Sequence, residues 1–199
     1  MMAQISQVAG VVLAGGKSSR FGSNKALALH HGTALIETIT RRLAGLFPET
    51  LLITNTPEAY GFLGWPMAGD QYRDCGPLAG IHAALKTISQ PRAFVCGCDM
   101  PLVNPELIRF LCELPGDHEV VLPWLPEGPE PLYAVYSKKI LPLIEEHLAR
   151  NQCKIGMVYE KLRLRKVTAA EILQVLPDLT TFQNINEQQD LARLASLET

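Results

Sequence analysis

Val8-Ala9-Gly10-Val11-Val12-Leu13-Ala14 runs directly into Gly15-Gly16-Lys17-Ser18-Ser19-Arg20-Phe21-Gly22-Ser23-Asn24-Lys25. The first seven residues are apolar throughout, with β-branched side chains at Val8, Val11 and Val12. A short apolar run stopped by glycines reads as a strand buried on both faces. Both faces are covered when a parallel sheet lies between helices. The loop that follows has two adjacent glycines, which let successive backbone N–H groups point into one concavity. Ser18 and Ser19 add hydroxyl donors, and Arg20 and Lys25 add two cations. Such a loop suits a polyphosphate. It is not a Walker A loop, which would need glycine where Val11 stands, nor a Gly-x-Gly-x-x-Gly dinucleotide fingerprint.

Working outward, short apolar runs alternate with helical patterns. Residues 34–47 put Leu35, Ile36, Ile39, Leu43, Leu46 and Phe47 on one helical face. Strands are expected at Leu51–Asn55, Ala93–Cys98, Glu119–Leu122, Leu132–Tyr136 and Leu164–Val167. Alternating apolar residues suggest a further strand at Lys25–Leu29, closed by a turn at His30-His31-Gly32. Helices are expected over 78–88, from Pro105 to about Leu114 behind an Asn104 cap, within 138–150, over 154–162 and over 169–175. Asn186 and Gln189 resemble a capping box for a last helix. Strand and helix at this spacing predict an α/β fold: a doubly wound, mostly parallel sheet with helices on both faces. Ligands of such sheets bind outside the carboxyl ends of the strands.

The 199-residue chain is 47% hydrophobic and 19% charged, a balance that supports a full core and excludes intrinsic disorder. With 18 basic against 20 acidic residues, nucleic acid and membrane surfaces are poor partners. No apolar run approaches the roughly 20 residues of a membrane-spanning helix. Five scattered cysteines give no disulfide framework, so the reducing cytoplasm is the expected location. Cys96-x-Cys98 is expected to place its thiols on opposite faces, unable to share a metal. His82, Trp65 and Trp124 are expected to pack rather than to react.

The string VVLAGGKSSRFGSNKAL resembles the opening signature of the MobA-like nucleotidyltransferases. Further matches follow in order: Asn55 after the second strand, Asp70 before Gly76-Pro77-Leu78-Ala79-Gly80, Cys98-Asp99-Met100-Pro101, Glu130-Pro131-Leu132-Tyr133-Ala134, and Asn184-Ile185-Asn186. The resemblance covers nearly the whole chain. It implies a single nucleotidyltransferase domain over 1–199, with a Rossmann-like sheet of the nucleotide-diphospho-sugar transferase type. The implied activity transfers GMP from GTP to the terminal phosphate of molybdopterin or Mo-molybdopterin, releasing pyrophosphate and using Mg2+. Asn24 departs from a common aspartate, Phe21 from a frequent methionine, and Lys154 from a frequent arginine.

By that resemblance, Leu13, Ala14, Gly15, Gly16, Lys25, Asn55, Asp70 and Asp99 bind the nucleotide. Lys25, Arg20 and Asp99 are the catalytic set, Asp99 is the Mg2+ ligand, and Asn184 and Asn186 face the pterin. The chemistry agrees, because phosphoryl transfer needs cations and positioning rather than a covalent intermediate. A hard dication takes one or two carboxylates with phosphate oxygens and water. The bland readings stand beside these. Asp99 could cap the turn at Met100-Pro101, Asn55 could cap a strand end, Asp70 could be a turn residue, and Asn186 could cap a helix. Leu13-Ala14-Gly15-Gly16 favours guanine, since cytidine-using relatives more often carry alanine at the first glycine. The alternatives are a CTP-dependent cytidylyltransferase and a non-catalytic protein that delivers nucleotide or cofactor. Transient contacts with other cofactor-biosynthesis proteins or recipient molybdoenzymes are also implied.

Overall fold

The computed structural model describes residues 3–15, 24–187 and 189–192. The strands are β1 (Val8–Leu13), β2 (Leu29–His30), β3 (Thr33–Ala34), β4 (Glu49–Ile53), β5 (Met67–Ala68), β6 (Arg92–Gly97), β7 (Val120–Leu125), β8 (Gly128–Pro129), β9 (Tyr133–Ser137) and β10 (Leu164–Thr168). The α-helices are α1 (Leu35–Leu43), α2 (Gly76–Thr87), α3 (Pro105–Glu113), α4 (Leu141–Ala149), α5 (Ile155–Tyr159) and α6 (Ala169–Ile172).

The main sheet has the order β10-β7-β9-β6-β1-β4-β5, with β8 beside β7. β1 runs parallel to both β4 and β6, β5 to β4, and β10 to β7. β9 alone lies antiparallel between β6 and β7, and β8 is antiparallel to β7. The mostly parallel expectation therefore holds, with β9 and the short β8 reversed. Successive side chains of a strand point to opposite faces, and both faces of β1 are buried. Val8 and Val12 join Ile36, Ile39 and Leu107 from α1 and α3. Ala9, Val11 and Leu13 join Leu78, Ile81 and Ile144 from α2 and α4. Gly10 serves the first of these layers: a Cβ there would lie 2.3 Å from Phe47 Cδ2, so the ring packs directly on the strand backbone.

Local chemistry sets the element ends. Asn104 accepts N–H bonds from Glu106 and Leu107 and starts α3. Thr168 and Glu171 form a capping box at α6. Pro142 sits in the first turn of α4, where its missing N–H has no helical acceptor to lose.

Three expectations need correction. Residues 25–29 are not one strand. Lys25–Leu27 is a 3-10 turn, because the Asn24 side chain accepts the Ala26 N–H, and only Leu29–His30 is extended. The β2–β3 hairpin does turn at His31-Gly32, both at positive φ, as a two-residue turn of right-handed twist requires. Second, Cys75 and Cys153 form a disulfide across 78 residues, with Cα atoms 4.8 Å apart. Scattered spacing hid this pair, since α2 and the turn after α4 bring it together. Third, Cys96 and Cys98 both belong to the α1/α3 layer, as positions two apart in a strand must. Among the described residues no group of three or more His, Cys, Asp and Glu side chains could hold a metal ion.

His82 is fully buried on α2, with Nε2 3.2 Å from Glu145 Oε1 of α4 and its ring edge-on to Tyr72. Trp65 packs against the core, and Trp124 lies under Lys166 Nζ, 3.8 Å from its ring centroid. No helix among the described residues is long and apolar enough to cross a membrane.

Candidate active site

The strand order changes direction at β1, whose neighbours β4 and β6 come later in the chain on either side. A crevice at such a switch point, outside the carboxyl ends, is where open α/β sheets bind ligands. Four candidate segments converge there. Leu13, Ala14 and Gly15 close β1; Asn55 follows β4; Asp70 follows β5; and Asp99 follows β6. Backbone bonds lock these ends together: Ala14 N–H to Ile53 O at 2.8 Å, Thr54 N–H to Ala68 O at 2.9 Å, and Cys98 N–H to Leu13 O at 3.1 Å.

Leu13 and Ala14 are buried, whereas Gly15 is exposed, and a Cβ on Gly15 would meet no heavy atom of the described residues within 4 Å. Gly80 of α2 approaches Leu13 closely, since a Cβ there would stand 3.0 Å from Leu13 Cδ1. This glycine of the GPLAG segment thus seats α2 against the end of β1. Gly16 and Arg20 lie outside the described residues.

Asn55 is more than a strand-end residue. Its Oδ1 accepts the Asp70 N–H at 3.1 Å, joining the two loops after β4 and β5. Asp70 Oδ1 is buried and has no hydrogen-bond partner among the described residues. Buried acceptors are normally satisfied, so this carboxylate is an acceptor poised for a donor.

Lys25 and Asp99 meet across the crevice. Lys25 Nζ donates to Asp99 Oδ2 at 3.0 Å and to Asn186 Oδ1 at 3.1 Å. The 3-10 turn that presents Lys25 is fixed by Asn24, whose side-chain amide also donates to the hydroxyl of buried Tyr60 at 2.9 Å. Asn24, where the family commonly has aspartate, is therefore a positioning residue for Lys25. The Ile185 N–H donates to the Asp99 carbonyl at 2.8 Å, drawing the Asn184–Asn186 segment over the end of β6. Asn186 spends its side-chain oxygen on Lys25, and its own N–H goes to the Asp190 carboxylate. Asn184 is exposed two residues earlier.

Glu130, which the resemblance names within a matching segment but gives no role, also lies near Asp99. It stands just before β9, and the carbonyl of Leu132, immediately ahead of that strand, accepts the Gly97 N–H at 3.1 Å. Burial pushes its carboxyl above the ordinary range, and the Asp99 charge adds to that. Cys98 is no nucleophile: burial first, then the Asp99 charge, push its thiol up to about 12. Among the described residues the site thus holds an ammonium, carboxylates and amides, with no nucleophile–base pair. That arrangement fits anion positioning.

Comparisons with known proteins give the family of the chain. The MobA-like NTP transferase domain matches residues 10–167. The chain is 38% identical to a molybdenum cofactor guanylyltransferase of Desulfosudis oleivorans, over 94% of this chain and 93% of that protein. It is 36% identical to a probable molybdenum cofactor guanylyltransferase of Pelotomaculum thermopropionicum, over 94% and 91% respectively. The crystal structure of molybdopterin-guanine dinucleotide biosynthesis protein A from Archaeoglobus fulgidus superposes with a TM-score of 0.81 at 26% identity, covering 95% of this chain and 97% of that one.

Proposed function

The chain belongs to the MobA-like NTP transferase family, and from that membership we propose that it transfers GMP from GTP to the terminal phosphate of molybdopterin or Mo-molybdopterin. A phosphate oxygen of the acceptor attacks the α-phosphorus of GTP. The bond to the β-phosphate breaks, and pyrophosphate leaves with the electron pair. The attacking oxygen is already anionic, so no general base is needed. The observation that carries this reading is the Lys25–Asp99 pair at the carboxyl end of β1 and β6, 3.0 Å apart.

Each residue has a task in that reaction. Leu13, Ala14, Gly15 and Gly16 receive the base and its phosphates. The orphaned Asp70 oxygen and the Asn55 amide take nucleoside donors. Lys25 and Arg20 neutralise the phosphates and the departing pyrophosphate. Asn184 and Asn186 lie on the acceptor side. We assign Asp99 as the residue that would hold Mg2+. The fit is chemical: its carboxylate already receives a cation, the Lys25 ammonium, and hard oxygen donors are what Mg2+ prefers. When bound, the ion supplies Lewis-acid stabilisation of charge on the phosphates. A GTP-consuming reaction suits the cytoplasm, and that reading rests on the substrate alone, since the Cys75–Cys153 bond removes the argument from unpaired cysteines.

The test is pyrophosphate release with purified molybdopterin and each of GTP, CTP, ATP and UTP. GTP-dependent release, with the dinucleotide found by mass spectrometry, is the expected result. Release with CTP alone would reassign the chain to cytidylyl transfer. Nucleotide binding without turnover would point to a delivery protein.

A further inference from the structure

We propose that the Lys25 ammonium holds the cation position at Asp99 in the nucleotide-free protein, so that metal enters readily only together with nucleotide. The inference rests on the assignment of Asp99 as the metal-binding carboxylate and goes beyond it.

Both partners are held in place. The Asp99 carboxylate lies in space left by Gly97, and its backbone is pinned by the Ile185 N–H. Lys25 rises from a turn capped by Asn24, itself tied to buried Tyr60. The two side chains are only 16% and 24% exposed, so the pair is largely withdrawn from water. Removing one member of such a pair leaves the other charge poorly compensated. A metal ion arriving alone would have to displace the ammonium from Asp99 Oδ2. The displaced charge would then stand beside the metal, with the neutral Asn186 amide as its only other partner among the described residues.

The nucleotide removes that obstacle. Its phosphates give Lys25 an anionic partner within reach of its flexible four-carbon stem. Lys25 can then leave Asp99 as the metal arrives, and the site never lacks a counter-charge. Coupling of this kind is reciprocal: the nucleotide tightens metal binding by the factor with which metal tightens nucleotide binding.

The test uses Mn2+ as a spin probe, titrated into the full chain without nucleotide and read by electron paramagnetic resonance. Lys25→Met removes the competing cation and should bind Mn2+ about ten-fold more tightly than the wild type, within the usual range of coupling. Lys25→Arg keeps the charge and should stay close to the wild type. Asp99→Asn should abolish the site in either background. Equal Mn2+ affinity in wild type and Lys25→Met would overturn the exchange while leaving Asp99 as the metal residue. Unchanged affinity in Asp99→Asn would overturn the metal assignment and the exchange with it.

Discussion

The Asp99 carboxylate occupies the space that a side chain at Gly97 would fill: a Cβ on Gly97 would lie 2.4 Å from Asp99 Oδ1. Gly97 ends β6 with no side chain of its own, so the chain can fold Asp99 back over the strand end. Gly97→Ala should therefore displace the carboxylate while leaving the core intact. Misplacement of a reacting group by about 1 Å can cost about 10²-fold in rate. Turnover should fall by about that factor, with thermal stability nearly unchanged, as measured by pyrophosphate release and calorimetry on the same preparation. Full activity in a folded Gly97→Ala protein would remove Asp99 from the reaction.

Lys25→Ala and Asp99→Asn each remove one half of the charge pair. Loss of a single preorganised electrostatic contact typically costs about 10²–10³-fold in kcat. Both variants should show that loss. The double variant should be clearly worse than either alone, because with nucleotide bound Lys25 serves the phosphates while Asp99 holds the metal. Single-turnover rates under saturating nucleotide would check this.

Gly10→Ala tests the core beneath the site. The added methyl would meet the Phe47 ring at 2.3 Å. Overpacking of this kind costs about 1–3 kcal/mol, or a Tm lower by about 3–10 °C at this chain length. Gly10→Ala with Phe47→Leu should recover part of it, since neighbours in contact are not additive. Calorimetry of the two variants makes the comparison.

The Cys75–Cys153 bond closes a span of 78 residues. Loops of this size stabilise by about 2–4 kcal/mol, chiefly by restricting the unfolded chain. Cys75→Ser should lower Tm by about 5–15 °C under oxidising conditions. Under dithiothreitol, wild type and variant should melt together.

Glu130 predicts a pH effect of definite sign. Burial raises its carboxyl, and Asp99 adds to the rise. An acid raised on folding binds its proton more tightly in the folded chain. Its unfavourable contribution is absent below the unfolded pKa of about 4.3 and grows as pH climbs from there through the folded value. Glu130→Gln should therefore raise Tm at pH 7, and that gain should vanish near pH 4. A gain that persists at pH 4 would assign the effect to packing instead.

Much of the fold was legible because it depends on local pattern. The unbroken apolar run at Val8–Leu13 marks a strand buried on both faces, and the glycines after it mark its carboxyl end. Asn104-Pro105 announces a helix in two residues. Asp99, Asn55 and Asp70 are named by the family resemblance, and the structure puts each just after a strand, although β5 before Asp70 is too short to show in the sequence. Glu130 is given no role there; β9 is reversed and brings its beginning, rather than its end, to the crevice. Nor does sequence distance reveal that Lys25 meets Asn186, or Cys75 meets Cys153, since tertiary packing alone makes those contacts.

The Lys25–Asn186 contact spans 161 positions, and the Asp99 carbonyl waits on Ile185 for its hydrogen bond. On a ribosome adding about 5–20 residues per second, roughly 8–30 seconds separate the synthesis of the lysine from that of the asparagine. The sheet can form from residues made earlier, but the finished site cannot. A nascent chain that has already collapsed around β1 and β6 therefore holds Lys25 and Asp99 without these two tethers until its closing segment emerges.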